Sequence, residues 1–442
     1  MKRFLLYILA CMPLTAGAQA LSIDDCIALA LENNKQIEAS RHGYDAAVYQ
    51  QRSARALFFP SFSLTGTAMY STASGSYSSG IQQLPVIGPD GLPTGANALM
   101  ALDINYDVDW LFSAGVKVQQ PIFMGCKIRT GYIMSKLATE IAWQNQRLSE
   151  ADVIVATSQA FAGVVRAREM LAVARSYDAL LAELLRTVEV AHARGVKPRN
   201  DVLKVEVKVN ESRLNIRRAE NALRLASMNL CHYIGRPLTD SIAIDDVLPE
   251  VDINGLTADI SNRPEHLMLM GKEEIASRNI AMARSEMLPQ VALVGQYGYS
   301  NGIELNGRKL LDSWNFAVGV QMTFSVWDFG HNSNKVRAAR AQYDQAVAER
   351  TDTDEQLTLQ LTQSFNNLDE AALELDLANS SVISAEENLR SAARQYQAGT
   401  ELLSDYLEAQ ALWQQALETQ IDARVGYYLR YLDYLRASGS LN

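Results

Sequence analysis

Few residues in this 442-residue chain are spaced for chemistry, and the pair that stands out is acidic. Asp405 and Glu408 lie three apart, so on a helix they share one face. Two such carboxylates attract cations, although acidic side chains on a helix are ordinarily just solvated. Catalytic patterns fail in turn. The five histidines (His42, His192, His232, His266, His331) are scattered, without the paired spacing of a metal site. No G-x-S-x-G nucleophile elbow appears, since the one matching string, Gly298 to Gly302, continues a period-two segment, and Walker and GxGxxG patterns are missing. The reading is no enzyme, no metal site and no cofactor. A formal charge of -10, with no Lys/Arg block, argues against nucleic acid as a partner. With 48% hydrophobic residues the chain can build a large core, and four cysteines do not make a disulfide scaffold.

The elements that would position those carboxylates begin with an export signal over 1–20. Lys2 and Arg3 precede an apolar run, and Ala18-Gln19-Ala20 is a small-x-small cleavage pattern. Cys11 resembles a lipoprotein site only loosely, because the apolar run before it is so short. After the signal, Cys26, Cys126 and Cys231 remain, and their spacing points to no disulfide. No later run approaches the ~18–20 continuous apolar residues of a membrane helix.

The chain is written twice. Pro60 meets Pro289, Gly66 meets Gly295 and Tyr70 meets Tyr299 at an offset of 229. Trp110 meets Trp314, Gly195 meets Gly399, Asp201 meets Asp405 and Gly235 meets Gly439 at an offset of 204. The repeats are therefore 21–240 and 241–442, differing by one insertion. Between Tyr70 and Trp110 lie 39 residues, against 14 between Tyr299 and Trp314. The insertion is rich in Ser, Gly and Pro, and 71–109 reads as an exposed loop.

Four segments alternate with period two, at about 60–70, 110–121, 289–299 and 314–326. In the fourth, Trp314, Phe316, Val318, Val320 and Met322 oppose Asn315, Gln321 and Thr323. Each runs ~10 residues, the length of a tilted strand crossing a bilayer. Tyr70, Trp110, Tyr299 and Trp314 abut the loops, as in an aromatic girdle facing outer-membrane lipid. A soluble sandwich sheet alternates in the same way, but four such strands behind a signal peptide favour a barrel. Four strands cannot close one, so copies of the chain must pool theirs. The remainder reads helical: no proline interrupts 127–194 or 331–398, and Gly195 and Gly399 follow as helix stops. Shorter helices flank them, and Ala-rich helices of that length need neighbours to bury a seam.

These features together resemble the outer-membrane efflux protein (TolC) family over nearly the whole mature chain. The carrying segments are LSIDDCIALALENN, QPIFMGCKIRTG and SVWDFGHNSNK, with the hairpin tips ARGVKPRNDVLKVE and RQYQAGTELLSDYLEAQ. The resemblance implies a mainly α fold with a membrane β-barrel portion. A long α-helical periplasmic tunnel would join four strands per protomer in a shared twelve-stranded trimeric barrel. It also implies a homotrimer in the outer membrane of a Gram-negative bacterium. That trimer would work with a periplasmic adaptor and an inner-membrane pump in efflux or type I secretion. Asp405 and Glu408 match the family's acidic entrance rings. Tyr396 and Asp201 match an inter-helix hydrogen bond that holds the closed state. Glu401 departs from the family's arginine, and Lys197, its counterpart in the other repeat, offers a Lys197–Glu401 pair instead. Arg194, Gly195, Val196, Gly399 and Thr400 match the tips that meet adaptor hairpins. The rival reading is a soluble periplasmic coiled-coil scaffold or adaptor, in which the strand aromatics are buried in a core.

Overall fold

A computed structural model describes residues 20–240, 242–245, 247–251 and 259–441, with the backbone alone at 102, 310 and 311. Apart from Ala20, the expected export signal lies outside the described residues. The order is α1 (Ile23–Asn33), α2 (Lys35–Ala56), β1 (Ser61–Ile87), β2 (Pro93–Met124), α3 (Lys127–Ala193) and α4 (Arg199–Tyr233). The second set is α5 (Pro264–Ser285), β3 (Gln290–Leu305), β4 (Arg308–Thr323), α6 (His331–Ala398) and α7 (Leu403–Ala437). The chain packs as a helical unit (residues through Ala47, Thr139–Glu273, Ala346–Asn442) and a sheet unit (Val48–Ala138, Glu274–Gln345). Each unit draws on both repeats, so the repeats are units of sequence and not of packing.

In the helical unit, Ser22 opens α1 with a capping box. Its hydroxyl accepts from the Asp25 N–H while the Asp25 carboxylate accepts from the Ser22 N–H. Ile23 and Cys26 of α1 then pack with Phe161, Val164 and Val165 of α3, Leu230 of α4 and Tyr428 and Leu432 of α7. A second cluster joins Leu181, Leu184 and Val188 of α3 to Val202, Val205 and Val209 of α4. That spacing of three and four is a coiled-coil seam, and each fully buried Leu or Val contributes about 1.5–3 kcal/mol. One window of α3 is apolar enough to cross a membrane, but 61% of it is buried, as in a core helix.

The sheet unit is a four-stranded antiparallel meander in the order β1-β2-β3-β4. The 71–109 insertion is not a loop, contrary to its composition. It continues β1 and β2 as a long hairpin, paired from Ala73↔Val108 to Ile87↔Pro93. Its tip is a tight turn in which the Gly91 N–H donates to the Gly88 carbonyl across Pro89 and Asp90. Serine is tolerated on the solvated face of a ribbon, so the Ser-rich composition misled. The alternation of Ala98, Met100, Ile104, Tyr106 and Val108 was the signal to read.

The β3–β4 connection is also tighter than 299–314 implied. Asn306 and Gly307, both at positive φ, make a two-residue type I′ turn. Asn306 anchors it: its Oδ1 accepts the Asn105 N–H at 2.6 Å and its Nδ2 donates to the Asp103 carbonyl at 2.9 Å. At the other end β4 stops at Thr323 rather than 326, because Thr323 pairs with Gln290, the first residue of β3. Beyond it Pro289 has no N–H to extend the ladder.

Candidate functional site: the paired helical tips

The two tips of the helical unit are built alike. After α3, the Gly195 N–H donates to the His192 carbonyl at 2.8 Å and the Val196 N–H to Ala191 at 2.9 Å. After α6, the Gly399 N–H donates to Tyr396 at 3.1 Å and the Thr400 N–H to Gln395 at 3.0 Å. Both are Schellman caps, which need a left-handed residue, and Gly195 and Gly399 sit at φ +75° and +76°. A Cβ on either would meet nothing within 4 Å. Glycine is there for backbone conformation, and the tips stay bare. Arg194, Gly195, Val196 and Gly399 are exposed, as an external partner would require.

Between the tips the contacts differ from the expected lock. No hydrogen bond joins Tyr396 to Asp201 among the described residues. Tyr396 is buried, its ring stacked on Tyr406 at 5.3 Å. Burial pushes the phenol up from its ordinary value, and the nearby Asp201 charge adds to the rise. Lys197 does not pair with Glu401 either. Its ammonium lies over the Tyr396 ring, 4.9 Å from the centroid. A ring face offers negative potential without a counter-ion's desolvation cost. The Lys197 carbonyl meets His192 Nδ1 at 2.9 Å, which fixes the tip backbone. Glu401 keeps one carboxylate oxygen enclosed with no partner.

Asp405 and Glu408 lie on the first turns of α7, both exposed. The Ser404 hydroxyl donates to Asp405 at 2.9 Å. A groove of about 730 Å³ in the same unit is lined by Leu180 of α3, Leu389 and Arg390 of α6, and Tyr406 and Trp413 of α7. Sequence reasoning missed Tyr406, Trp413 and Gln410, whose buried amide has no partner. Tyr406 had a usable signal, since it follows Asp405 and lies on the α7 face that carries Leu403 and Leu407.

The sheet carries the second functional surface. Tyr70 pairs with Trp110 and Tyr299 with Trp314, with ring centroids 5.2 and 5.8 Å apart. On the same face Leu64 is 82% exposed and Phe316 73%. The opposite face presents Ser61, Ser63, Thr65, Lys117 and Gln296. Such a sheet suits lipid on one side and water on the other. At both strand-to-helix junctions Glu286 stands between cations, 3.5 Å from Lys127 and 2.6 Å from Lys335. The Lys335 bond, with help from Lys127, holds the Glu286 carboxyl below its usual range.

A lipid-suited sheet with open edges and, in the other unit, long helices that end in bare tips are the features of a subunit of an outer-membrane channel. The chain matches the outer membrane efflux protein family over 26–236 and 260–436. It belongs to that family and is an outer-membrane exit channel. It is 24% identical to the proteases secretion protein PrtF of Dickeya chrysanthemi over 100% of this chain and 93% of that protein. It is 22% identical to the outer membrane protein TolC of Vibrio cholerae, over 75% of this chain and 77% of that one. The fold is similar to the Campylobacter jejuni CmeC outer membrane channel, with a TM-score of 0.76 at 18% identity, covering 94% of this chain and 85% of that one.

Proposed function

We propose that three copies of this chain form a passive exit duct for a tripartite efflux or type I secretion system. In this reading an inner-membrane pump and a periplasmic adaptor supply energy and substrate. The observation that carries it is the sheet, whose apolar face is exposed and whose edge strands β1 and β4 pair on one side only among the described residues. Open edges cannot sit in hydrocarbon, and three four-stranded sheets close a twelve-stranded barrel. The helices agree. Leu203, Val207, Leu214 and Leu225 make an exposed apolar stripe on α4, and Leu359, Leu373 and Leu377 one on α6. Stripes of that length in water call for neighbouring helices. At the tips, threefold symmetry brings six carboxylates of Asp405 and Glu408 around one axis, a ring that concentrates cations. Gly195, Val196, Gly399 and Thr400 form the surface for adaptor hairpins.

The test is planar-bilayer conductance of detergent-purified protein, wild type beside Asp405→Ala/Glu408→Ala. The expected result is cation-selective steps in wild type and loss of that selectivity in the variant. A protein that fractionates as soluble and never inserts would return the scaffold reading. Conductance with unchanged selectivity would move the gate away from these carboxylates.

A further inference from the structure

The 71–109 arm is not explained by a membrane barrel. β2 pairs with β3 only as far as Tyr106↔Leu305, where the β3–β4 turn ends the wider sheet. Beyond that level Gly75–Ile87 and Pro93–Asn105 continue as a two-stranded ribbon, ~40 Å long at ~3.3 Å per residue. A hairpin standing alone is marginally stable in water. Past Asp103, where Asn306 bonds the β2 edge, no third strand pairs with this one among the described residues.

Near its base the two faces differ sharply, whereas past the Ser78/Ile81 bulge Ile81 and Leu99 share the polar face and Gln82 the apolar one. Register and alternation put Ala73, Gly75, Tyr77, Ile104, Tyr106 and Val108 on one face. The other carries Ser74, Ser76, Ser78, Asp103, Asn105 and Asp107. The apolar face continues the lipid-facing row of Trp110 and Phe112 without a break, well past the length a bilayer covers. Tyr77, Met100 and Tyr106 remain exposed. Residues 71–109 hold four aspartates and no lysine, arginine or histidine. An anionic outer leaflet is therefore no partner for the arm, because like charges repel.

We propose that the arms of the three copies cover one another, apolar face to apolar face, as a collar that narrows the outer mouth of the channel. The inference rests on the trimeric channel reading above. The β1 edge of the arm continues the β1 edge that another copy must pair, so neighbouring arms are delivered to the same place. Two bulges, at Tyr70/Ala73 and Ser78/Ile81, re-aim the ribbon. Bulges increase local twist, and a two-stranded ribbon twists more than a wide sheet. The lipid-facing row can thus turn inward above the membrane. Turning it inward also sends Asp103 and Asp107 outward into water, where their mutual repulsion is screened.

Single cysteines in a Cys126→Ser background test this in intact cells under mild oxidation. Ile104→Cys lies on the apolar face, Asp103→Cys beside it on the polar face, and Tyr106→Cys repeats the first should Ile104→Cys fold poorly. The expected result is covalent dimer from Ile104→Cys or Tyr106→Cys, several-fold more than from Asp103→Cys. Equal or reversed yields would overturn the collar. So would no dimer from protein that native electrophoresis shows to be trimeric and that an impermeant maleimide labels. A monomer on native electrophoresis would overturn the channel reading along with it.

Discussion

Replacing Lys197 with methionine isolates the contact between the two tips. Methionine keeps the apolar stem and removes only the charge over the Tyr396 ring. The ammonium lies 4.9 Å from the ring centroid at a half-buried position, and Tyr406 covers Tyr396 as well. A cation–π contact there contributes about 0.5–1 kcal/mol. If three protomers open together, the loss is about 1.5–3 kcal/mol per trimer. That amounts to a shift of about tenfold to about 150-fold in the shut-to-open ratio. Single-channel recording in planar bilayers reads it directly as open probability. Lys197→Arg should stay near wild type, since guanidinium also stacks on rings. Glu401→Gln should matter far less, because Glu401 does not meet Lys197. The cycle with Tyr396→Leu is decisive: in that background Lys197→Met should have little further effect. An unchanged open probability, or a full effect without the ring, would refute the reasoning.

Two further outcomes follow from the packing. Burial pushes the Tyr428 phenol up to about 12, above its ordinary value near 10. Its neutral form therefore stabilises the fold fully below about pH 10, and that contribution of about 3 kcal/mol is lost as pH rises from about 10 to about 12. Melting followed by circular dichroism should fall over that window, and Tyr428→Phe should flatten the fall. Asn306→Ala loses the two side-chain bonds to Asn105 and Asp103 and the residue best suited to φ +48°. It should destabilise the β3–β4 hairpin by about 1–2 kcal/mol, read as a lower temperature of trimer dissociation on gels.

Much of this architecture is legible from one chain. The 204-residue offset reappears in three dimensions as matched caps, Gly195 with Gly399 and Gly235 with Gly439, all at positive φ. It reappears again at the strand-to-helix junctions, where Gly125 and Cys126 answer Phe329 and Gly330, also at positive φ. Local signals of this kind survive because capping and turn geometry depend on a few adjacent residues. The arm was lost for the opposite reason. Its Ser, Gly and Pro content outweighed an alternation that only the cross-strand register makes plain.

The sequence by itself determined the class of protein: a duplicated, mainly helical outer-membrane channel with a sheet suited to lipid on one face. Period, composition and cap residues are properties of the chain alone, and they suffice for that. Only the tertiary structure decided what the tip residues touch. A lysine placed to meet a glutamate by repeat symmetry settles on an aromatic ring, because Tyr396 is held in place by α3, α4 and α7 packing around it. That choice depends on which surfaces long-range packing brings together and on what each costs to desolvate, and neither is written in residue spacing.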